Sequence, residues 1–219
     1  MFPVSDVIPS RSTPVVTLGL IAANALAFLY ELTLPDAGLR NLFHTYGVIP
    51  GDFVWISVLT STFLHAGWLH VLGNMLYLWI FGDNVEDRLG HSGFLALYLG
   101  CGALSGLAHA EINPLSFLPM VGASGAIAGV MGAYFILYPQ SRVLTAVLLF
   151  FYLDLLEIPA LIFLGIWFLM QFFSGLGSIG ADAASGGLAF GAHVAGFVIG
   201  AMIGALWRSR ERHRQELWQ

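Results

Sequence analysis

The stretch FLHAGWLHVLGNMLYLWIFGDNVEDRLG, residues 63–90, decides how the rest of the chain is read. Between Val71 and Phe81 the polar side chains are Asn74 and the phenol of Tyr77. Then Asp83, Asn84, Glu86, Asp87 and Arg88 crowd together. A long apolar run stopped by a charged cluster predicts a membrane-crossing helix, here over about 58–82. Within that run His70 and Asn74 are spaced i, i+4 and share one helix face. Polar side chains in such a segment are costly and therefore candidates for function.

Composition extends this reading to the whole chain. Of 219 residues 58% are hydrophobic and 10% charged, against ~25% charged in soluble domains. Mean hydropathy is +0.81. These values exclude a disordered chain, a nucleic-acid binder and an ordinary soluble domain. They predict an all-α polytopic membrane protein. The apolar runs predict spans at about 14–34, 58–82, 92–110, 121–138, 158–174 and 188–207. The stretch 35–55 reads as a long loop lying partly in the membrane interface, and 143–157, broken by Asp154, Glu157 and Pro159, as a segment on the membrane surface. The N-terminus has no basic region followed by a cleavage site, so no removable signal peptide is expected. The organisation expected is a cytoplasmic segment 1–13, a membrane domain 14–207 and a basic cytoplasmic tail 208–219.

The net charge is −5 and all eight basic residues are arginines. With the N-terminus inside, six spans put Arg11, Arg88, Arg142, Arg208, Arg210, Arg212 and Arg214 on the cytoplasmic side and only Arg40 outside. That satisfies the positive-inside rule and puts both termini in the cytoplasm. The arginine tail is expected to contact anionic membrane lipid. The single cysteine, Cys101, permits no intramolecular disulfide.

Two further polar sites lie in apolar runs. Gly122-Ala123-Ser124-Gly125 opens the fourth span, where free helix N-terminal N–H groups and the positive end of the helix dipole suit a nucleophile beside an oxyanion site. His193 lies near the start of the sixth span, next to the Gly196, Gly200, Gly204 repeat. Each site alone also has a plainer reading. His70 and Asn74 could glue helices together, Ser124 could cap its helix, and His193 could be a core histidine. In the six-span topology, spans two, four and six all start outside, so Ser124, His193, His70 and Asn74 fall at compatible depth.

At these residues the chain resembles the rhomboid family of intramembrane serine proteases. The matching segments are residues 63–90, VGASGAIAGVMGAY (121–134) and GGLAFGAHVAGFVIG (186–200). The resemblance covers about 14–207 and implies a six-helix rhomboid bundle. It implies Ser124 as nucleophile, His193 as general base, and an oxyanion hole of His70, Asn74 and the backbone N–H groups of Ser124 and Ala123. It implies transmembrane proteins, single-span or other, as substrates, with no metal and no cofactor. Two positions depart from the family pattern. Ala128 stands where many rhomboids carry a Tyr that packs on the histidine, so another group must orient His193. Trp55 is followed by Ile56 where many carry Arg.

No Asp or Glu lies within the fourth or sixth span, and Glu111 and Asp182 fall in outer loops. A Ser–His dyad is therefore expected, not a triad. His44, His91, His109 and His213 read as structural or interfacial. The small-residue loop 175–187 is expected to cover the site and to gate substrate entry together with the fifth span. The short loops suggest a bacterial plasma membrane. A catalytically silent rhomboid-like protein that binds membrane proteins is the alternative. A transporter is disfavoured by the near absence of carboxylates in the spans, and a site-2-type metalloprotease because His65 and His70, the candidate metal ligands, are five apart and no HExxH occurs.

Overall fold

The computed structural model describes residues 2–149, 152–177 and 190–217. It is mostly helical. Strand β1 (Phe2–Asp6) is followed by α1 (Val15–Glu31), α2 (Asp36–Tyr46), the short α3 (Ser57–Thr60), α4 (Trp68–Ile112) and α5 (Ser124–Leu137). Strands β2 (Arg142–Leu149) and β3 (Tyr152–Pro159) come next, then α6 (Ala160–Gly177) and α7 (Phe190–Leu217). By length and composition, α4 and the Phe190–Glu211 part of α7 are long and apolar enough to cross a membrane. Val15–Glu31, Ser124–Leu137 and Ala160–Leu176 are apolar but shorter.

The second and third expected spans are the two halves of α4. Helical geometry runs straight through the charged cluster and breaks at Gly90, where φ is 73° and ψ 162°. That backbone region is open to glycine and strained for other residues. The first half begins only at Trp68, because residues 57–63 form α3 and a 3-10 turn.

The all-α expectation is corrected by a three-stranded antiparallel sheet in the order β1-β2-β3. The supposed surface segment 143–157 is a strand pair, with Arg142 opposite Pro159 and Leu149 opposite Tyr152. The N-terminal segment adds the third strand, with Phe2 opposite Ala146. Alternation drives it: Val143, Thr145 and Val147 are buried, while Arg142 is exposed and Leu144 and Ala146 only half-buried. Period-two burial is the strand signature. The expected loop 35–55 is corrected too, since it holds α2, started after Pro35 with Asp36 in its first turn.

The charged cluster does more than end a span. Buried Glu86 accepts hydrogen bonds from Val16 N (2.9 Å), Thr17 N (2.7 Å) and Thr17 Oγ1 (2.7 Å), satisfying the orphan donors at the start of α1. Asp87 accepts from the backbone of Arg11 and Ser12. Arg88 pairs with Glu211 on α7, and Arg208 donates to the Ile136 carbonyl. Asp6 accepts from Tyr134 Oη (2.7 Å) and Asn84 Nδ2 (2.9 Å). The arginines 11, 88, 142 and 208 thus gather at one end of the bundle, where the first half of α4, and α5, finish and where α7 arrives.

The core lies where α5 runs against α7 and α4. Leu78, Phe81, Tyr98, Met131 and Tyr134 are fully buried there. Small residues set the α5–α7 spacing. A Cβ on Gly200 would overlap the Gly129 carbonyl, and one on Gly132 would overlap that of Phe197. Backbones in such contact gain dispersion that larger side chains would prevent.

Candidate active site

Helices α4, α5 and α7 all begin at the end opposite the arginines, and their first two turns carry the polar residues singled out in the sequence. Ser124 is the first residue of α5, preceded by Ala123. The helix's first intrahelical donor is Ile127 N, bonded to Ala123 O, so the N–H groups of Ser124, Gly125 and Ala126 have no partner within the helix. Gly122, with φ at 132°, turns the chain into the helix. Its N–H donates to Ser61 O at 2.9 Å. A Cβ there would sit 2.6 Å from His70 Nε2. Gly122 is therefore needed twice, for its backbone angle and for room beside the His70 ring.

His193 comes from the start of α7. Its Nε2 lies 2.6 Å from Ser124 Oγ. The structure brings this pair together across 69 residues of chain. The other ring nitrogen, Nδ1, lies 2.8 Å from Oε1 of Gln171 on α6. The Trp167 ring, one turn earlier on α6, is tilted 37° against the His193 ring at 6.2 Å. Ala128, where the family pattern has Tyr, is fully buried and offers no ring. Sequence reasoning missed Gln171. The available signal was a lone carboxamide in an otherwise apolar helix.

His70 and Asn74 follow on α4. The backbone N–H of Ala66 donates to His70 Nδ1 at 3.4 Å, which leaves Nε2 as the ring's N–H, turned toward Gly122. Asn74 Nδ2 donates to His65 Nε2 at 3.0 Å. The backbone N–H of His65 donates to the Glu31 carboxylate, whose oxygens lie 3.1 and 3.3 Å away. His65, considered earlier only as a metal ligand, is thus a support for Asn74. Ser61, His70, Asn74, Ser124, Gln171 and His193 line one cavity of about 330 Å³. Of the loop 175–187, residues 178–187 lie outside the described residues, as does Asp182.

The geometry supports base-assisted attack by a hydroxyl, with donors gathered where an oxyanion would form. Comparison with known proteins gives the chain a family. The Rhomboid domain family matches residues 52–210. The chain belongs to the rhomboid family.

Its relatives include Rhomboid protein 1, mitochondrial, of Saccharomyces cerevisiae, 29% identical over 80% of this chain and 49% of the yeast protein. Putative rhomboid protease YdcA of Bacillus subtilis is 33% identical over 57% of this chain and 62% of its own length. Presenilin-associated rhomboid-like protein, mitochondrial, of Mus musculus is 34% identical over 57% of this chain and 33% of its own. The chain therefore spans a third to three-fifths of these relatives. The rhomboid match begins within the segment that precedes α3 and runs through the part of α7 that carries Arg208.

Proposed function

We propose that this rhomboid is an intramembrane serine endopeptidase working through a Ser124–His193 dyad. The observation that carries the reading is the 2.6 Å approach of His193 Nε2 to Ser124 Oγ inside the donor-lined cavity. In the proposed reaction His193 takes the Ser124 proton as Oγ attacks the scissile carbonyl. The oxyanion is held by the Ser124 and Ala123 backbone N–H groups, His70 and Asn74. His193 then protonates the leaving amine, and water releases the acyl group by the reverse proton path.

The setting proposed is six membrane crossings with both termini cytoplasmic. The arginines gathered at one end and the site at the other support that orientation. The substrates are transmembrane proteins, single-span or other, cut near the outer face at helix-weakening residues, because an intact helix protects its peptide bonds. Entry is proposed between α6 and the first half of α4. Trp167 and Gln171 form the α6 wall of the cavity, and α6 turns Ile162, Ile166, Met170 and Phe173 outward. The tail arginines are proposed to meet membrane lipid. The relatives' names and sources, mitochondrial and chloroplastic as well as Bacillus, do not single out a bacterial plasma membrane. The short loops argue for it, and fractionation of the host cell tests it.

The test is cleavage of a single-span substrate by purified protein in detergent or liposomes. Ser124→Ala and His193→Ala are each expected to abolish cleavage. Cleavage surviving Ser124→Ala would overturn the nucleophile. A folded wild type that cleaves none of several substrates would favour the silent, membrane-protein-binding reading.

A further inference from the structure

We propose that Gln171 is the positioning residue of His193, holding the imidazole in the tautomer that a general base requires. The inference rests on the protease reading. A neutral imidazole has one N–H and one lone pair, and the partner of one nitrogen decides the role of the other. A base needs its lone pair on Nε2, facing Ser124. That requires the proton on Nδ1, and a proton there needs an acceptor. Gln171 Oε1, 2.8 Å away, is that acceptor. With the carboxamide reversed, its NH₂ would face Nδ1 and force the proton onto Nε2. His193 would then donate to Ser124 instead of deprotonating it.

Three observations make this more than a chance contact. The first is chemical: along Ala160–Gly177 the sequence ALIFLGIWFLMQFFSGLG is apolar except for Gln171 and Ser174, and a carboxamide in such a helix needs a partner. The second is geometric. Trp167 lies i, i+4 from Gln171, so the same α6 face that presents the acceptor also sets a ring against His193. The third is the fully buried Ala128, which leaves the orienting task to another element. Together they move the restraint on the base from α5 to α6. A neutral acceptor fixes the tautomer without the charge that would stabilise an imidazolium. It also couples entry to chemistry. If substrate displaces α6, the Nδ1 contact is lost, and the base is restored only when α6 returns.

The experiment compares wild type with Gln171→Leu and Gln171→Glu, each purified in detergent and checked by thermal unfolding. Cleavage kinetics, labelling of Ser124 by a fluorophosphonate probe, and the ¹⁵N spectrum of the His193 ring (assigned with His193→Ala) are measured. Gln171→Leu is expected to unfold near the wild-type temperature. Its kcat should fall about 10- to 10²-fold, within the range general-base catalysis supplies, at unchanged KM. Gln171→Glu, which restores an acceptor, should recover most of the loss. The wild-type ring should be a single Nδ1–H tautomer, and the Leu variant a mixture. Wild-type kcat in Gln171→Leu, or an Nε2–H ring in the wild type, would overturn the proposal. If the wild type neither cleaves nor labels, yet its Nδ1–H tautomer is lost in Gln171→Leu, the protease reading fails and the hold of Gln171 on the ring stands.

Discussion

The most exacting perturbation is one methyl group at Gly196. This residue lies three positions after His193, and its Cα faces Gly125, the neighbour of Ser124. A Cβ there would overlap the Gly125 carbonyl oxygen, sit 2.7 Å from Ser105 Oγ and 3.2 Å from Gly125 C. Comfortable heavy-atom contact begins near ~3.5 Å, so α5 and α7 must part by about 1 Å or more. Ser105 is itself buried on α4, so the third helix closes the easy escape. Overpacking of this kind costs about 1–3 kcal/mol. The same displacement stretches the 2.6 Å Ser124–His193 contact beyond good hydrogen-bond range, and misplacement of about 1 Å can cost ~10²-fold in rate. Gly196→Ala should therefore unfold earlier in detergent and cleave a single-span substrate far more slowly. Gly100→Ala is the matched control. It sits mid-helix in α4 with nothing within 4 Å of the added Cβ, so it should gain roughly 0.4–1 kcal/mol through reduced unfolded-state entropy. Equal unfolding temperatures for the two variants would refute the packing argument. A destabilised Gly196→Ala that cleaves at full rate would refute the link from helix spacing to the dyad.

Two further outcomes are expected. Asn74→Ala should lower kcat by about 10²–10³-fold, the usual loss for one oxyanion donor, and leave His65 Nε2 without its 3.0 Å donor; wild-type kcat in this variant would remove Asn74 from the oxyanion site. Asp6, in β1 outside the helices, is pushed up from 3.8 to about 6, chiefly by burial and further by the charge of Asp83, against the hydrogen bond from Tyr134. The folded state therefore holds this proton more tightly than the unfolded state. Stability from the group is complete below pH ~4 and is lost as pH rises through about 6. A shift of this size caps the effect at about 3 kcal/mol, and partial exposure brings it nearer ~1 kcal/mol. Thermal unfolding of Asp6→Asn should show the variant gaining on wild type between pH 4 and 7; a difference constant with pH would refute the assignment.

The polar residues carried most of what the sequence could say. His70, Asn74, Ser124 and His193 were found by asking which polar groups sit where they are expensive, and they line one cavity. The sheet escaped that question. RVLTAVLL and YLDLLEIP are apolar runs whose composition suits a short membrane-surface segment as well as a strand. Only the partner strand β1, more than a hundred residues away, makes the alternation meaningful. The glycine repeat was legible as a flat face, but not the partner for each glycine.

Gln171 and His65 failed for a different reason. Gln171 meets the same test of cost that picked out Ser124 and His193, but no motif surrounds it. Its role exists only once α6 is seated beside α7, a packing fact no local pattern encodes. His65 was weighed as a metal ligand and set aside on spacing, whereas its work is to hold Asn74, and the Glu31 carboxylate in turn holds the His65 backbone. Motif residues touch the reacting atoms and so recur as motifs; the residues that aim them are chosen by whichever helix comes close. The missing Tyr at position 128 was therefore the one local sign of an absent orienting group, and it pointed to the need without naming Gln171 as the group that meets it.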